Sequence, residues 1–200
     1  MIKALFQTIN SMITCQEPVK SFIVCFIYSN IIMVLIILIG GMIDKLETLQ
    51  MKLLNKFVTV KASEFICNRL TFPGIMVHEL SHAVFASMLG AKVTKIKLIS
   101  LRQDGRLGWI EYQTRGKKIL QGLQLSWSAC APTIMGAILE TMIIHIFSHA
   151  GIFSKVILIY FMISIADHMS MSKQDILNYI HGSWAFCGIL YVILLILRLM

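Results

Sequence analysis

Residues 21–43, SFIVCFIYSNIIMVLIILIGGMI, contain no charged side chain. At 1.5 Å per residue they are long enough to cross roughly 30 Å of hydrocarbon, which predicts a transmembrane helix. The composition of the whole chain agrees. Of 200 residues, 57% are apolar and 14% charged, with a mean hydropathy of +0.78, against about 45–50% and about 25% in soluble domains. That balance excludes an ordinary soluble globule, and it excludes disorder, which needs low hydrophobicity and high charge. Nucleic acid is not an expected partner, because the net charge of +8 sits on too greasy a background and reads as loop charge facing anionic headgroups and the cytoplasm.

Towards the N-terminus, residues 1–20 are too weakly hydrophobic for a signal-peptide core and no small-residue cleavage site follows the apolar run, so the first helix is expected to stay in the mature protein. Towards the C-terminus, residues 44–70 change character. Leu46, Leu49, Leu53, Phe57 and Val60 recur at three and four, with Lys45, Lys52, Lys56 and Lys61 between them, the pattern of an amphipathic helix lying in the interface or packing on other protein. Pro73-Gly74 opens a second apolar helix, 75–89, with Gly90 as its stop. From 92 to 113 the period shifts towards two, and Asp104-Gly105 is a strong turn signal, so a β-hairpin is expected at the membrane surface. Apolar segments at 119–147, 153–169 and 176–198 follow. The expected fold is an all-α polytopic membrane protein in one domain: four to five transmembrane helices, with a small β-hairpin inserted after the second apolar helix. The dense basic cluster at 92–118 favours a cytoplasmic hairpin, which makes the N-terminus cytoplasmic too if 21–43 and 75–89 each cross once. The setting is an integral, multi-pass position in the bilayer of the cell membrane. Cys15, Cys25, Cys67, Cys130 and Cys187 are odd in number, scattered and without a CxxC pair, and are read as packing residues.

Inside the second apolar helix stands His78-Glu79-Leu80-Ser81-His82. One helical turn separates two imidazoles on one face, so both can bind one zinc, and the adjacent Glu79 can reach a water at the metal. There the metal lowers the water pKa towards about 7, and the glutamate takes the proton and passes it to the leaving amine. With six His and six Glu in the chain, chance placement yields on the order of 0.005 such motifs. His and Glu are also costly within a membrane unless they face a cavity or partner.

A third protein ligand must come from elsewhere. Asp175, in Ser172-Lys173-Gln174-Asp175, is one candidate, although Ser-x-x-Asp ahead of an apolar run equally reads as a capping box. Asp167 and His168 compete with it. His145 and His149 form a second i, i+4 pair without an adjacent carboxylate and are read as interfacial residues at a helix end. Glu140 is the other intramembrane carboxylate. Asn178 is read as a helix-packing amide that could also orient Asp175, and Ser81 has no base beside it.

The run FPGIMVHELSHAVFASMLGAKVTKIKLIS (72–100), with Gly108-Trp109-Ile110-Glu111-Tyr112 and Ala131-Pro132-Thr133-Ile134-Met135-Gly136, resembles the site-2-protease class of intramembrane zinc metallopeptidases over about a third of the chain. The resemblance implies one Zn2+ per chain bound by His78 and His82, Glu79 as base, and an Asp from a later membrane helix as third ligand. That class usually sets its ligand in an Asp-Gly motif; the only Asp-Gly here is Asp104-Gly105, and 172–175 looks like the variant of divergent, compact members, which carries the role to Asp175. The expected function is zinc-dependent hydrolysis of peptide bonds in membrane proteins or peptides. The alternative is a metal-binding membrane protein that regulates or binds a partner without proteolysis. A third class, a small transporter, has no need of a Glu directly after the first His.

Overall fold

The computed structural model describes residues 18–98 and 108–199, so the Asp104-Gly105 turn, Cys15 and the N-terminal segment lie outside the described residues. The elements are α1 (Pro18–Leu54), α2 (Val60–Glu64), a π-helical segment (Phe65–Leu70), α3 (Phe72–Met88), β1 (Lys92–Lys97), β2 (Trp109–Gln113), α4 (Lys118–His149), α5 (Ile152–Ala166) and α6 (Lys173–Leu199). Strands β1 and β2 form a two-stranded antiparallel sheet, with Val93 opposite Tyr112 and Ile96 opposite Ile110, and a bulge between Val93 and Lys95.

Two expectations need correction. The first apolar helix does not stop at 43 to be followed by a separate interfacial helix over 44–70; α1 runs through to Leu54. No proline interrupts it, and Lys, Leu, Glu, Gln and Met at 45–54 are all strong helix formers. The break falls at 55–59, where Ser63 Oγ donates to Asn55 Oδ1 and Thr59 Oγ1 accepts from the Ala62 N–H as the cap of α2. The helix count also differs. Among the described residues three helices are long and apolar enough to cross a membrane, Ser21–Leu54, Lys118–His149 and Lys173–Leu197, while Ile152–Ala166 is a shorter apolar helix and α3 has 17 residues.

The core lies where α1, α4 and α6 meet, around Met33, Ala129, Cys130, Met171 and Tyr179. Small residues bring the helices close: a Cβ on Gly182 of α6 would stand 2.1 Å from the Gly122 carbonyl oxygen of α4, and one on Gly74 of α3 would stand 1.7 Å from the Ser164 carbonyl oxygen of α5. Helix α3 is tied at both ends. Tyr160 Oη donates to the Leu70 carbonyl and Ser164 Oγ to that of Thr71, while Gln124 Nε2 donates to the Leu89 carbonyl. It stops as expected at Gly90, whose φ of 80° lets the Ala91 N–H reach back to the Ala86 carbonyl. Cys25, Cys67 and Cys130 are buried and, like Cys187, free, which fits a packing role.

Candidate metal centre

Helical spacing alone brings the two imidazoles together, with Nε2 of His78 and His82 3.1 Å apart. The third group arrives from the far end of the sequence. Asp175, in the first turn of α6, places Oδ1 3.4 Å from His82 Nε2 and Oδ2 4.0 Å from His78 Nε2. One ligand atom from each residue lies within 4.8 Å of the others, so the group can hold a metal ion. Tetrahedral bonds of about 2.0–2.2 Å put neighbouring ligand atoms about 3.3–3.6 Å apart; the 3.1 Å between the two Nε2 atoms and the 3.4 Å from His82 Nε2 to Asp175 Oδ1 lie close to that range.

The surrounding hydrogen bonds argue the same way. His78 Nδ1 donates to the His168 carbonyl at 2.6 Å and His82 Nδ1 to the Ser128 carbonyl at 2.7 Å. With both Nδ1 atoms spent as donors, neutral rings turn two Nε2 lone pairs and a carboxylate towards one point. A cation at that point relieves their mutual repulsion, and a carbonyl behind each imidazole is the usual support of a metal-bound histidine.

The two readings of Asp175 turn out to be one geometry. Its Oδ2 accepts from the Ser172 N–H at 2.9 Å, and the Asp175 N–H donates to Ser172 Oγ at 3.2 Å, a capping box at the start of α6. The cap leaves Oδ1 directed at His82. Asp167 and His168 are not brought into the ligand group. Asp167 lines a separate cavity with Gln50, Met51 and Cys67. His168 contributes its carbonyl to His78 while its own Nε2 sits 2.8 Å from Thr71 Oγ1. Burial, reinforced by the neighbouring His78, pushes the His168 pKa down to about 4, so its ring stays neutral.

Glu79 lines the same cavity of about 390 Å³ as the three ligand residues. Gly108 lets the start of β2 press against it, since a Cβ there would lie 3.1 Å from Glu79 Cγ. Trp109, Ile110 and Tyr112 of β2 line the cavity from the strand side. The Tyr112 phenol is hydrogen-bonded to the Ser128 side chain, and burial raises its pKa above the usual 10, so it stays protonated. Asp44, Glu47 and Ser170 close the other wall, with Ser170 Oγ donating to Glu47 Oε2 at 2.7 Å. The sequence pattern does not single out those wall residues or the roles of Ser128 and Tyr112; a pair of acids directly after a charge-free run is the one available signal. Asn178 also faces the cavity, but its Oδ1 accepts from Gln174 Nε2, and the cap orients Asp175 instead. His145 and His149 are exposed near the end of α4, and Ser81 Oγ donates to the His78 carbonyl. No family model matches the chain, and no curated protein or solved structure matches it.

Proposed function

We propose that the chain is a multi-pass membrane zinc metallopeptidase that hydrolyses peptide bonds of membrane proteins or peptides. The observation that carries this reading is the His78, His82 and Asp175 group sharing one cavity with Glu79. Two imidazoles and one carboxylate form the ligand set of a catalytic rather than a closed structural zinc site. When bound there, zinc supplies Lewis-acid polarisation of the peptide carbonyl and a lowered pKa for the attacking water. Glu79 takes that water's proton and returns it to the leaving amine. His78 and His82 are held in one tautomer by the His168 and Ser128 carbonyls. Strand β2 lines the cavity through Trp109, Ile110 and Tyr112, so an extended substrate would lie along it.

The helices also act as rulers for the depth of the site. The rise from Ser21 to Asp44 on α1, from Ser128 to His149 on α4 and from Asp175 to Leu197 on α6 is about 32–35 Å in each case, close to the roughly 30 Å hydrocarbon thickness. The cavity therefore lies at the membrane boundary on the hairpin side, where water reaches it. Lys45, Lys52, Lys56, Lys61, Lys92, Lys95, Lys97, Arg115, Lys117 and Lys118 fall on that side, against Lys20, Lys155 and Arg198 on the other, so the positive-inside rule makes the hairpin face cytoplasmic. Helix α3 re-enters from this face without crossing, which puts the start of α1 on the opposite face.

The test is Glu79→Gln in proteoliposomes, read with a library of quenched fluorescent transmembrane-segment peptides. Native protein loaded with zinc is expected to cleave members of the library, and the variant to bind zinc equally and cleave none. Equal cleavage by the variant refutes the assignment of Glu79. Zinc binding by the native protein without cleavage of any peptide favours the non-proteolytic, partner-binding alternative.

A further inference from the structure

Pro132 lies inside α4, buried and fourteen residues beyond the helix's first residue, Lys118. A proline in a helix interior costs roughly 3 kcal/mol because it has no N–H and crowds the carbonyl four residues before it. The carbonyl thus deprived of its helical donor is that of Ser128, and this is the one that accepts His82 Nδ1 at 2.7 Å. Carbonyls of a helix interior are normally committed to the ladder, and orphans occur only in the last turn. His78 draws on a carbonyl outside any helix ladder, since His168 stands past the end of α5. The carbonyl that serves His82 lies instead in the interior of α4, ten residues beyond Lys118. We infer that Pro132 is a positioning residue of the metal centre: by withholding its N–H it dedicates the Ser128 carbonyl to His82, fixing that ring with Nε2 towards the ligand group.

The remaining contacts of Ser128 serve the same junction. Its hydroxyl donates to the His82 carbonyl at 3.1 Å, so α4 grips His82 by both its ring and its backbone. The inference rests on the metal reading of the site and is tested with the metal alone. Pro132→Ala restores the missing N–H, and α4 then reclaims the Ser128 carbonyl. Detergent-purified native and variant proteins are titrated with Co2+ and with Zn2+ against a chromophoric chelator, and the metal-free forms are melted in parallel. Loss of an outer-shell partner of a histidine ligand weakens metal binding about 10–100-fold. The expected result is weakening in that range, an altered Co2+ visible spectrum, and a metal-free unfolding temperature equal to or above the native one. A proline kept only for packing predicts the opposite pattern, lower stability with unchanged affinity, and that outcome overturns the inference, as does a variant that fails to fold. Unchanged affinity and spectrum overturn it too while leaving the metal site standing. A native protein that binds neither ion overturns the metal reading itself and the inference with it.

Discussion

Asp175→Asn separates the two tasks that one carboxylate performs. Asparagine keeps an oxygen for the Ser172 N–H, now 2.9 Å from Oδ2, so the cap of α6 survives and the loss of negative charge near the helix N-terminus costs only about 0.3–1 kcal/mol. The anionic ligand 3.4 Å from His82 Nε2 is lost. Structural zinc sites bind with roughly 10–16 kcal/mol shared among their ligands, so removing one of three protein ligands is expected to cost about 3 kcal/mol, roughly 100-fold in affinity. Ser172→Ala has the reverse profile. It deletes the acceptor of the Asp175 N–H, 3.2 Å away, costing about 1 kcal/mol of helix stability, but it leaves the carboxylate in place. Chelator competition on detergent-purified protein reads the affinity, and thermal unfolding of the metal-free form reads the cap. An Asp175→Asn affinity within about threefold of native would refute the ligand assignment and leave Asp175 a capping residue alone.

Three further outcomes are expected. Gly182→Ala sets a Cβ 2.1 Å from the Gly122 carbonyl oxygen, a backbone atom that cannot swing away, whereas one at Gly41 meets nothing within 4 Å; denaturation should show a loss of about 3 kcal/mol or more for the first and no loss for the second, and equal effects would discredit the tight α4–α6 contact. His168, held near 4 by burial against an ordinary 6.5, is a base whose folded pKa is depressed, so its contribution is complete above about 6.5 and is lost as pH falls from about 6.5 to about 4. Metal-free protein should therefore lose up to about 3 kcal/mol across that window, and His168→Gln should flatten the profile; an unchanged slope argues against a buried neutral ring. Cysteines introduced singly at Lys117 and at Gly151 in a cysteine-free background should react with a membrane-impermeant maleimide from opposite sides of sealed vesicles, and labelling from the same side contradicts the orientation proposed above.

Much of this protein was legible because much of it is local. The charge-free run at 21–43, the HExxH turn, the Gly90 stop and the Val93–Tyr112 alternation each depend on residues within a few turns of one another, and each appears in the structure near its expected place. The boundary expected at Asp44 is absent because a change from apolar to amphipathic pattern marks a change of surroundings, and α1 passes from one to the other without a residue that breaks it. His145 and His149 have the spacing of a ligand pair just as His78 and His82 do. What separates the pairs is whether a carboxylate and two free carbonyls converge on them, and no spacing records that.

By itself, then, the sequence determined the greasy helical class, the hairpin, and the two imidazoles with a glutamate between them, since period and spacing within one element set those. Only the tertiary structure decided which carboxylate completes the group. Asp167 and Asp175 stand eight positions apart around one helix junction, and the capping box at Ser172 turns the second towards His82. It also decided that the carbonyls of Ser128 and His168 stand behind the histidines. Those partners lie 46 and 90 residues from the imidazoles they orient. Meeting them to within a hydrogen-bond length is a property of how α3, α4, α5 and α6 pack, which no single stretch of chain carries.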